Sequence, residues 1–372
     1  MRIRKVVLRQ IYMRQKTPFR LSYRVSSYKN PYLVEVVDED GISGWGECNV
    51  TDGPFFSGET TGSAFQVLTK YLIPDALDKK FSTPEEFFDR TSWIRRNRKA
   101  RGAVDMALWN LYAKEQGKSE AELLGKARDS IPAGISIGIQ DTPEKLVEEA
   151  GKALRKGYRK LKLKIKPGKD LDYVRAAREA FPEVPIGVDA NGAYTLDDVV
   201  RLKELDAFHL TMIEQPLSYD DIVDHAHLQA VLQTAVCLDE SVESLGDACR
   251  AIALGSCRTI NIKLSRVGGL TEARRIAEYA GEKGVPVWCG STFESGVGAG
   301  HNLAAASMAN YRYPADIMET GDMFPESEWI TRPVLLGKDG TIPVPEVPGS
   351  GYDPVPEALA AHTAGQWIFD GK

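Results

Sequence analysis

Apolar and polar residues alternate in two ways over the first third of the chain. In residues 32–47, two apolar runs with a period of two flank a short acidic turn that ends in glycine, which predicts a β-hairpin. From residue 61 the period becomes helical, most clearly in 99–113, where the apolar residues share one broad face. The pattern therefore predicts an α+β domain over residues 1–125.

From residue 126 the pattern changes to short apolar strands that alternate with longer helices. The predicted strands are 133–139, 161–166, 185–189, 210–214, 236–239, 259–263, 285–289 and, less clearly, 315–318. The predicted helices are 142–156, 170–180, 196–205, 219–232, 270–283 and 301–310. Such a repeat is typical of a parallel (β/α)8 barrel, whereas the Gly-x-Gly-x-x-Gly motif of an open doubly wound sheet is missing after the first strand. We therefore expect an α/β fold with a (β/α)8-type barrel over 126–320, and an N-terminal capping domain that the tail, 321–372, completes.

The composition is that of an ordinary globular protein and excludes several classes of function. The chain is 43% hydrophobic and 27% charged, and its net charge of −5 provides no basic field for nucleic acid. It contains neither an apolar run of about 18 residues nor a signal-peptide pattern after its basic start. Five scattered cysteines without a C-x-x-C motif favour reduced thiols. We therefore expect a cytoplasmic protein with no membrane or nucleic-acid partner.

The predicted strand 161–166 has lysine at every second position. Lys162, Lys164 and Lys166 alternate with branched apolar residues, so they share one face of the strand. On a half-exposed strand these lysines would face water. On a buried strand an unpartnered ammonium would lose hydration or give up its proton.

Charged residues recur at a regular spacing along the predicted barrel, and this spacing indicates what surrounds the strand. Lys164, Asp189, Glu214, Asp239 and Lys263 each stand at or near the end of a predicted strand, with spacings of 25, 25, 25 and 24 residues. One βα unit of such a barrel is about 30 residues long, and active sites lie at the carboxyl ends of the strands. The sequence therefore predicts that these five side chains meet in one active site.

The three acids of this set lie on adjacent predicted strands. Asp189, Glu214 and Asp239 would repel one another unless a cation lies among them, and hard oxygen ligands suit Mg²⁺, with Mn²⁺ as a substitute. The alternative is that each acid forms a separate salt bridge. We expect a magnesium site.

The two lysines lie on opposite sides of the predicted barrel mouth. Lys164 is on the second strand and Lys263 on the sixth, an arrangement suited to moving a proton at one carbon from either face. Lys162 is expected to lower the pKa of Lys164 and so make it a usable base. Arg266 is expected to act similarly on Lys263, with an ordinary loop arginine as the alternative. Asn191 is expected to orient a metal ligand, and Lys166 is expected to be solvated.

These motifs resemble those of a known superfamily. They are Lys162-x-Lys164, Asp189, Glu214 in Ile213-Glu214-Gln215-Pro216, Asp239 in Leu238-Asp239-Glu240-Ser241, and Lys263 followed by Arg266-Val267-Gly268-Gly269. They resemble the enolase superfamily and, within it, the muconate-lactonising-enzyme subgroup. The strings 157–168, 287–290 and 54–57 are most similar to the branch that contains o-succinylbenzoate synthase and N-acylamino acid (N-succinylamino acid) racemase.

The resemblance implies a mechanism on a small-molecule carboxylate. Asp189, Glu214 and Asp239 would bind Mg²⁺, and loss of the proton next to the metal-bound carboxylate would give an enediolate. In a synthase, Lys164 would remove this proton and help a β-hydroxyl to leave as water, while Lys263 would stabilise the enediolate. In a racemase, the two lysines would exchange roles as base and acid.

The function that this resemblance favours is o-succinylbenzoate synthase. It would catalyse a syn dehydration of a 2-succinyl-cyclohexadiene carboxylate in menaquinone biosynthesis, with racemase activity as a side reaction. The alternative is an N-succinylamino acid racemase that works by two-base 1,1-proton transfer. A dipeptide epimerase is disfavoured because Met318 replaces the second acid of its Asp-x-Asp motif. A non-catalytic binding protein is disfavoured because the triad and both lysines are intact.

The resemblance also implies which parts of the chain contact the substrate. Cap loops near 17–25 and 50–60 would close over it. The candidate contacts are Ser136, Gly290, Ser291, Phe19 and Phe55. Relatives are commonly homo-oligomers, so we expect one here.

Overall fold

The computed structural model describes residues 1–22, 25–324 and 329–371. The first part of the chain forms five antiparallel strands and then five helices. The strands are β1 (Ile3–Ile11), β2 (Met13–Arg20), β3 (Val25–Lys29), β4 (Tyr32–Asp38) and β5 (Ser43–Cys48). The helices are α1 (Thr61–Val67), α2 (Ile73–Asp78), α3 (Pro84–Arg90), α4 (Arg98–Glu115) and α5 (Glu120–Leu123). The predicted hairpin is confirmed as the antiparallel pair β4–β5.

After a short strand, β6 (Ser130–Pro132), the chain alternates between parallel strands and helices. The parallel strands are β7 (Gly134–Ile137), β8 (Lys160–Lys164), β9 (Ile186–Asp189), β10 (Ile213–Glu214), β11 (Val236–Leu238), β12 (Thr259–Ile262) and β13 (Val287–Cys289). The helices are α6 (Pro143–Lys156), α7 (Leu171–Ala180), α8 (Val199–Glu204), α9 (Val223–Val231), α10 (Leu245–Leu254), α11 (Leu264–Val267), α12 (Leu270–Glu282) and α13 (Gly296–Ala306). The seven parallel strands pair in sequence order from β7 to β13. The predicted α/β fold with a parallel sheet is confirmed.

The eighth predicted strand, 315–318, forms no ladder of its own. Instead, the extended segment 311–316 bridges the two edge strands. Ala315 pairs with Ala133 just before β7, and the Asp316 amide donates to the Cys289 carbonyl of β13 at 3.0 Å. This segment therefore curls the sheet toward closure.

The tail consists of β14 (Thr341–Pro343), α14 (Pro356–His362) and β15 (Thr363–Asp370). β14 pairs with β6, while β15 pairs antiparallel with β1 and extends the first sheet to the order β15-β1-β4-β5. The tail thus completes the N-terminal unit, which we call the cap. The boundaries at residues 125 and 320 remain our proposal.

Two local predictions are wrong. Residues 17–20 are not a loop but the end of β2, which forms a two-stranded hairpin with β3 and pairs Phe19 with Ser26. Pro18 disfavoured a strand in the sequence analysis, but a strand at the edge of a sheet tolerates proline. Residues 23 and 24 of the predicted loop lie outside the described residues. The predicted helix 301–310 begins earlier, at Gly296, as helix α13. The prediction missed its first turns because three glycines there weaken the helical pattern of the sequence.

Helix α4 joins the two halves of the molecule. Most of its length is buried, and it contributes to both the cap core and the barrel core. On the cap side it packs on β5, where a Cβ atom on Gly44 or Gly46 would collide with its backbone. On the barrel side Trp109 Nε1 donates to Thr271 Oγ1 at 2.9 Å. The cap is therefore held in a fixed position over the barrel.

A buried histidine also links the cap to the barrel. His301 of α13 is 0% exposed; its Nδ1 lies 2.8 Å from Glu120 Oε2 and its Nε2 lies 2.9 Å from the Trp45 carbonyl oxygen. Both ring nitrogens face acceptors, which favours the doubly protonated ring. Burial alone would lower the pKa of His301, but Glu120, the Trp45 carbonyl and Glu47 outweigh it, and the pKa is raised.

Replacing His301 should destabilise the fold in a pH-dependent way. His301→Ala leaves the Glu120 carboxylate buried without its cation, so we expect a loss of about 3–5 kcal/mol in the free energy of unfolding. Because the folded pKa is raised, this contribution is fully present below about pH 6.5 and is lost as pH rises through the folded pKa. Urea denaturation at several pH values measures it.

The matched control is His227→Ala on the exposed face of α9, which should change stability by no more than about 0.5 kcal/mol. An equal loss from His301→Ala between about pH 6 and pH 9 would show that the ring is not charged.

Within the described residues, no helix combines the length and apolar character needed to cross a membrane.

Candidate active site

Three carboxylates converge at the carboxyl ends of adjacent strands. Asp189 ends β9, Glu214 ends β10 and Asp239 follows β11, and Glu214 is in register with Asp189. All three are 0% exposed, and one oxygen of each lies within 4.8 Å of the others. This buried, all-oxygen donor set fits Mg²⁺. Each of the three acids also forms a salt bridge with a lysine, so ion pairs and a shared site occur together.

Three lysines and an arginine surround the triad. Lys162 Nζ lies 3.2 Å from an Asp189 oxygen and 3.1 Å from a Glu214 oxygen. Lys164 Nζ lies 2.5 Å from Asp189 Oδ2. Across the mouth, Lys263 Nζ lies 2.6 Å from Asp239 Oδ2, and the Arg266 guanidinium donates to Asp239 Oδ1. The side chains that the charge period predicted are therefore brought together.

The pKa values of Lys162 and Lys164, two of the three lysines of β8, are shifted in opposite directions. Burial lowers the pKa of Lys164; Asp189 opposes this shift, whereas Lys162 and Lys263 add to it. For Lys162, burial is outweighed by Glu214, Asp316 and Asp189, so its pKa rises well above the usual value. Lys164 is therefore the more available base of the two. The neighbouring lysine does lower its pKa, but burial is the larger cause.

The carboxylates themselves are shifted by the same neighbours. Burial would raise the pKa of Asp189, but Lys164, Lys162 and Lys263 hold it well below its usual range. Burial and the charge of Asp189 raise the pKa of Glu214. Asn261 Nδ2 donates to Glu214 Oε1 at 3.0 Å and fixes its orientation.

Asn191 links Lys164 to a further carboxylate. Its Oδ1 accepts from Lys164 Nζ at 2.8 Å, and its Nδ2 donates to Glu240 Oε1 at 3.0 Å. Its backbone amide also donates to Asp189 Oδ1 at 3.0 Å, and its φ of +46° lies in the left-handed region that asparagine tolerates. The predicted orienting role of Asn191 is consistent with these contacts.

On the opposite side, Arg266 reaches Lys263 only through Asp239. Its Nε donates to the Val242 carbonyl at 3.0 Å, and its guanidinium also donates to the Asn261 carbonyl. Gln215 supports Asp239 from below, since its Oε1 accepts from the Asp239 amide at 3.0 Å. Arg266 is thus a buried partner of a triad member rather than a solvated loop residue.

A cavity covers this charged floor. Its volume is about 70 Å³. Its wall contains Leu21, Ser26, Lys29, Thr51, Phe55, Phe56, Lys99, Ser136, Lys162, Lys164, Asn191, Lys263, Ser291, Thr292, Phe293, Asp316 and Met318. Both the cap and the barrel therefore contribute to the wall.

Three of the predicted substrate contacts form part of this wall: Ser136, Ser291 and Phe55. The other two, Phe19 and Gly290, lie behind it. Phe19 packs edge-on against Phe293 at a centroid distance of 4.8 Å. Gly290 lies against Asn261, where a Cβ atom would collide with the side-chain amide. Their contact with substrate remains a prediction.

The wall residues that sequence reasoning missed include two aromatic rings and two lysines. Phe56 and Phe293 supply apolar surface, and Lys29 and Lys99 supply positive charge from the cap. One signal for Lys99 was present: it lies four residues before Ala103 on the apolar face of the predicted helix. Nothing comparable marks Lys29.

Asp316 is the remaining acid of the wall. Its Oδ2 lies 3.2 Å from Lys162 Nζ and accepts from Ser136 Oγ at 2.8 Å. Its carboxylate is therefore engaged with the barrel floor. With Met318 in the position of a second acid, the wall does not present an Asp-x-Asp pair.

Two family models together match most of the chain. One, described as enolase C-terminal domain-like, matches residues 145–358. The other, described as mandelate racemase / muconate lactonizing enzyme, N-terminal domain, matches residues 3–125.

Similar proteins agree with these matches. An o-succinylbenzoate synthase from Geobacillus stearothermophilus is 47% identical over 351 residues, which cover 94% of this chain and 93% of the relative. An N-succinylamino acid racemase from an Amycolatopsis species is 42% identical over 370 residues, or 99% and 100% of the two chains. The crystal structure of an enolase superfamily member from Listeria innocua has a TM-score of 0.97 and 38% identity, with all of both chains covered. The chain therefore belongs to the mandelate racemase and muconate lactonizing enzyme family of the enolase superfamily, and it is an enzyme of that family.

Proposed function

We propose that this enzyme is an o-succinylbenzoate synthase that can also racemise N-succinylamino acids. One observation carries the proposal. Two buried lysines, Lys164 at the end of β8 and Lys263 directly after β12, lie four strands apart with the acid triad between them. A substrate held at the triad would therefore present the two faces of one carbon to two different ammonium groups. Relatives of both activities support the choice.

Substrate binding would begin at the triad. Asp189, Glu214 and Asp239 would hold Mg²⁺, which supplies positive charge at the substrate carboxylate and acidifies the adjacent carbon. Lys162, whose pKa is raised, stays charged beneath this site and offsets the negative charge of Glu214 and Asp189. Phe55 and Phe56 cover the cavity and limit the access of water.

In the synthase reaction, one lysine would serve as both base and acid. Lys164 Nζ takes the proton from the carbon next to the carboxylate, and the electron pair of that C–H bond is delocalised into the carboxylate. This pair then forms the new double bond as the C–O bond to the hydroxyl on the neighbouring carbon breaks, and Lys164 returns the proton to the leaving oxygen, which departs as water. Because the same group acts in both steps, the elimination is syn. The Lys263 ammonium lies across the site and stabilises the negative charge that develops.

In the racemase reaction, Lys263 would also transfer a proton. Lys164 takes the proton from one face of the α-carbon, and Lys263 delivers another from the opposite face; the reverse reaction exchanges these roles. The racemase is supported by the presence of both lysines in contact with the triad.

The biological setting is part of the same proposal. We place the enzyme in the cytoplasm, in menaquinone biosynthesis, as a homo-oligomer that depends on Mg²⁺. The names of the synthase relatives, the five free cysteines and the oxygen-only triad support this setting.

Direct assays test the function. Purified enzyme with Mg²⁺ should convert the cyclohexadiene substrate to its aromatic product, followed by ultraviolet absorbance. It should also exchange the α-proton of an N-succinylamino acid in D₂O, followed by NMR. The absence of both reactions would overturn the proposal, and exchange without dehydration would identify a racemase alone.

A further inference from the structure

A further lysine of β8 lies beneath the floor of the active site. Lys160 is two residues before Lys162, so its side chain points to the same face of the strand, one layer deeper in the barrel. It is 1% exposed, and its Nζ makes no hydrogen bond within the described residues. Because a buried ammonium is costly without compensating partners, the surroundings of Lys160 indicate what it does.

The space around Lys160 is shaped for its side chain. The residue in register with it on β7 is Gly134, where a Cβ atom would lie 2.8 Å from Lys160 Cε. Lys160 Nζ lies 3.6 Å from the centre of the Trp288 ring, and the face of an aromatic ring attracts a cation at this distance. The glycine therefore makes room for the lysine stem, and the ring favours a charged head.

The ion-pair partner of Lys160 is Asp316 of the cavity wall. Lys160 Nζ lies 3.6 Å from Asp316 Oδ1, and this oxygen accepts no hydrogen bond in the described part of the chain. The other oxygen, Oδ2, lies 3.2 Å from Lys162 Nζ and accepts from Ser136 Oγ at 2.8 Å. The Asp316 carboxylate therefore lies between two lysines, with one beside each oxygen.

Lys162 divides its positive charge among three acids. Its Nζ lies 3.2 Å from Asp316, 3.2 Å from Asp189 and 3.1 Å from Glu214. Burial would raise the pKa of Asp316, but the two lysines outweigh it, Lys162 more than Lys160, and hold the pKa below its usual value. Without Lys160, the whole negative charge of Asp316 would act on Lys162 and draw it away from the triad.

We propose that Lys160 is a positioning residue for the metal site: through Asp316 it keeps Lys162 at the triad and so limits the negative charge that faces the metal. This inference rests on the proposed function, of which Mg²⁺ at the triad is a part. Within the described residues, Lys160 forms no ion pair with the triad and does not line the cavity wall. Its effect is therefore electrostatic, and the sign of that effect distinguishes it from a packing role.

Calorimetric titration with Mg²⁺ tests this role. Lys160→Met removes the charge and nearly keeps the length of the side chain. We expect the Mg²⁺ dissociation constant to fall by about 3–10-fold, because a divalent cation is attracted more strongly to a buried site that has lost a positive charge. Lys160→Gln also removes the charge and should shift the constant in the same direction, so one misfolded variant does not decide the result.

Lys114→Met is the matched control. It also removes a lysine that pairs with an aspartate, since Lys114 Nζ lies 2.6 Å from Asp353 Oδ2, but neither residue lines the cavity. The Mg²⁺ dissociation constant of this variant should stay within about twofold of the wild-type value.

A second background tests the route through Asp316. Asp316→Asn leaves the Lys160 amine buried without its anion, and such an amine gives up its proton. When Lys160→Met is added to Asp316→Asn, we therefore expect it to change the dissociation constant by less than about twofold. An equal fall in both backgrounds would overturn the proposal. So would weaker or unchanged Mg²⁺ binding by the two Lys160 variants in the wild-type background.

Metal binding is measured apart from turnover, so this inference and the proposed function can fail separately. Enzyme whose variants show the expected pattern of Mg²⁺ binding, but which performs neither reaction, would retain the inference and lose the function. Enzyme that performs the reactions, but whose Lys160 variants bind Mg²⁺ no more tightly, would retain the function and lose the inference.

Discussion

Lys164→Ala is expected to lower kcat for both the dehydration and the racemisation by about 10²–10⁴-fold, the usual contribution of a general acid–base group. Lys164 Nζ lies at the end of β8, and burial lowers its pKa toward the range of a working base. Alanine removes the group that takes the proton. The neighbouring floor lysine cannot replace it, because Lys162 contacts two triad carboxylates and its pKa is strongly raised.

The control for this variant is Lys166, the last lysine of the alternating run 160–166. Lys166 is half-buried and lies beyond the end of β8, outside the cavity wall. Lys166→Ala should keep kcat within about twofold, since it makes no contact with the reacting atoms. Rates are measured by ultraviolet absorbance for the dehydration and by polarimetry for the racemisation. Full activity of Lys164→Ala would show that another residue acts as the base.

Glu214→Gln is expected to weaken Mg²⁺ binding by about 100-fold or more, since loss of an outer-shell partner alone costs about 10–100-fold. Glutamine keeps the length of the side chain and its contact with Asn261, but it removes the negative charge at the centre of the triad. Calorimetric titration of the purified protein with Mg²⁺ measures the dissociation constant directly. Turnover is not needed for this measurement.

Asp316→Asn is the matched control for the metal site. Asp316 lies 3.2 Å from Lys162 Nζ, and Glu214 lies 3.1 Å from the same nitrogen. Both substitutions remove one buried charge beside the same lysine, but only Glu214 belongs to the triad. We expect the Mg²⁺ dissociation constant of Asp316→Asn to change by less than about tenfold. Equal effects of the two substitutions would show that total charge, rather than the triad, determines binding.

The floor of the site was predictable from the sequence because barrel geometry is periodic. A charged residue at the end of each strand must face the same rim once the strands are parallel. Asp189 and Glu214 are accordingly in register, and Lys164 is in register with Asp189. The regular spacing along the chain therefore carried most of the information on the triad and its lysines.

The roof of the site was less predictable because it depends on how the cap sits on the barrel. That arrangement is set by contacts distant in sequence, such as Trp109 with Thr271 and His301 with Glu120. Lys29 and Lys99 line the cavity only because the cap is held in this position on the barrel. The β2–β3 hairpin, which was not predicted, packs Phe19 against Phe293, and the contact of Phe19 with substrate stays a prediction.

The central claim is that Lys164 and Lys263 act on opposite faces of one carbon. Its most direct test is α-proton exchange in D₂O, followed by NMR, with each enantiomer of an N-succinylamino acid supplied separately to Lys164→Ala and Lys263→Ala. We predict that each variant loses exchange with one enantiomer and keeps it with the other, and that the two variants lose opposite enantiomers. Loss of exchange with the same enantiomer in both variants would contradict the two-face arrangement.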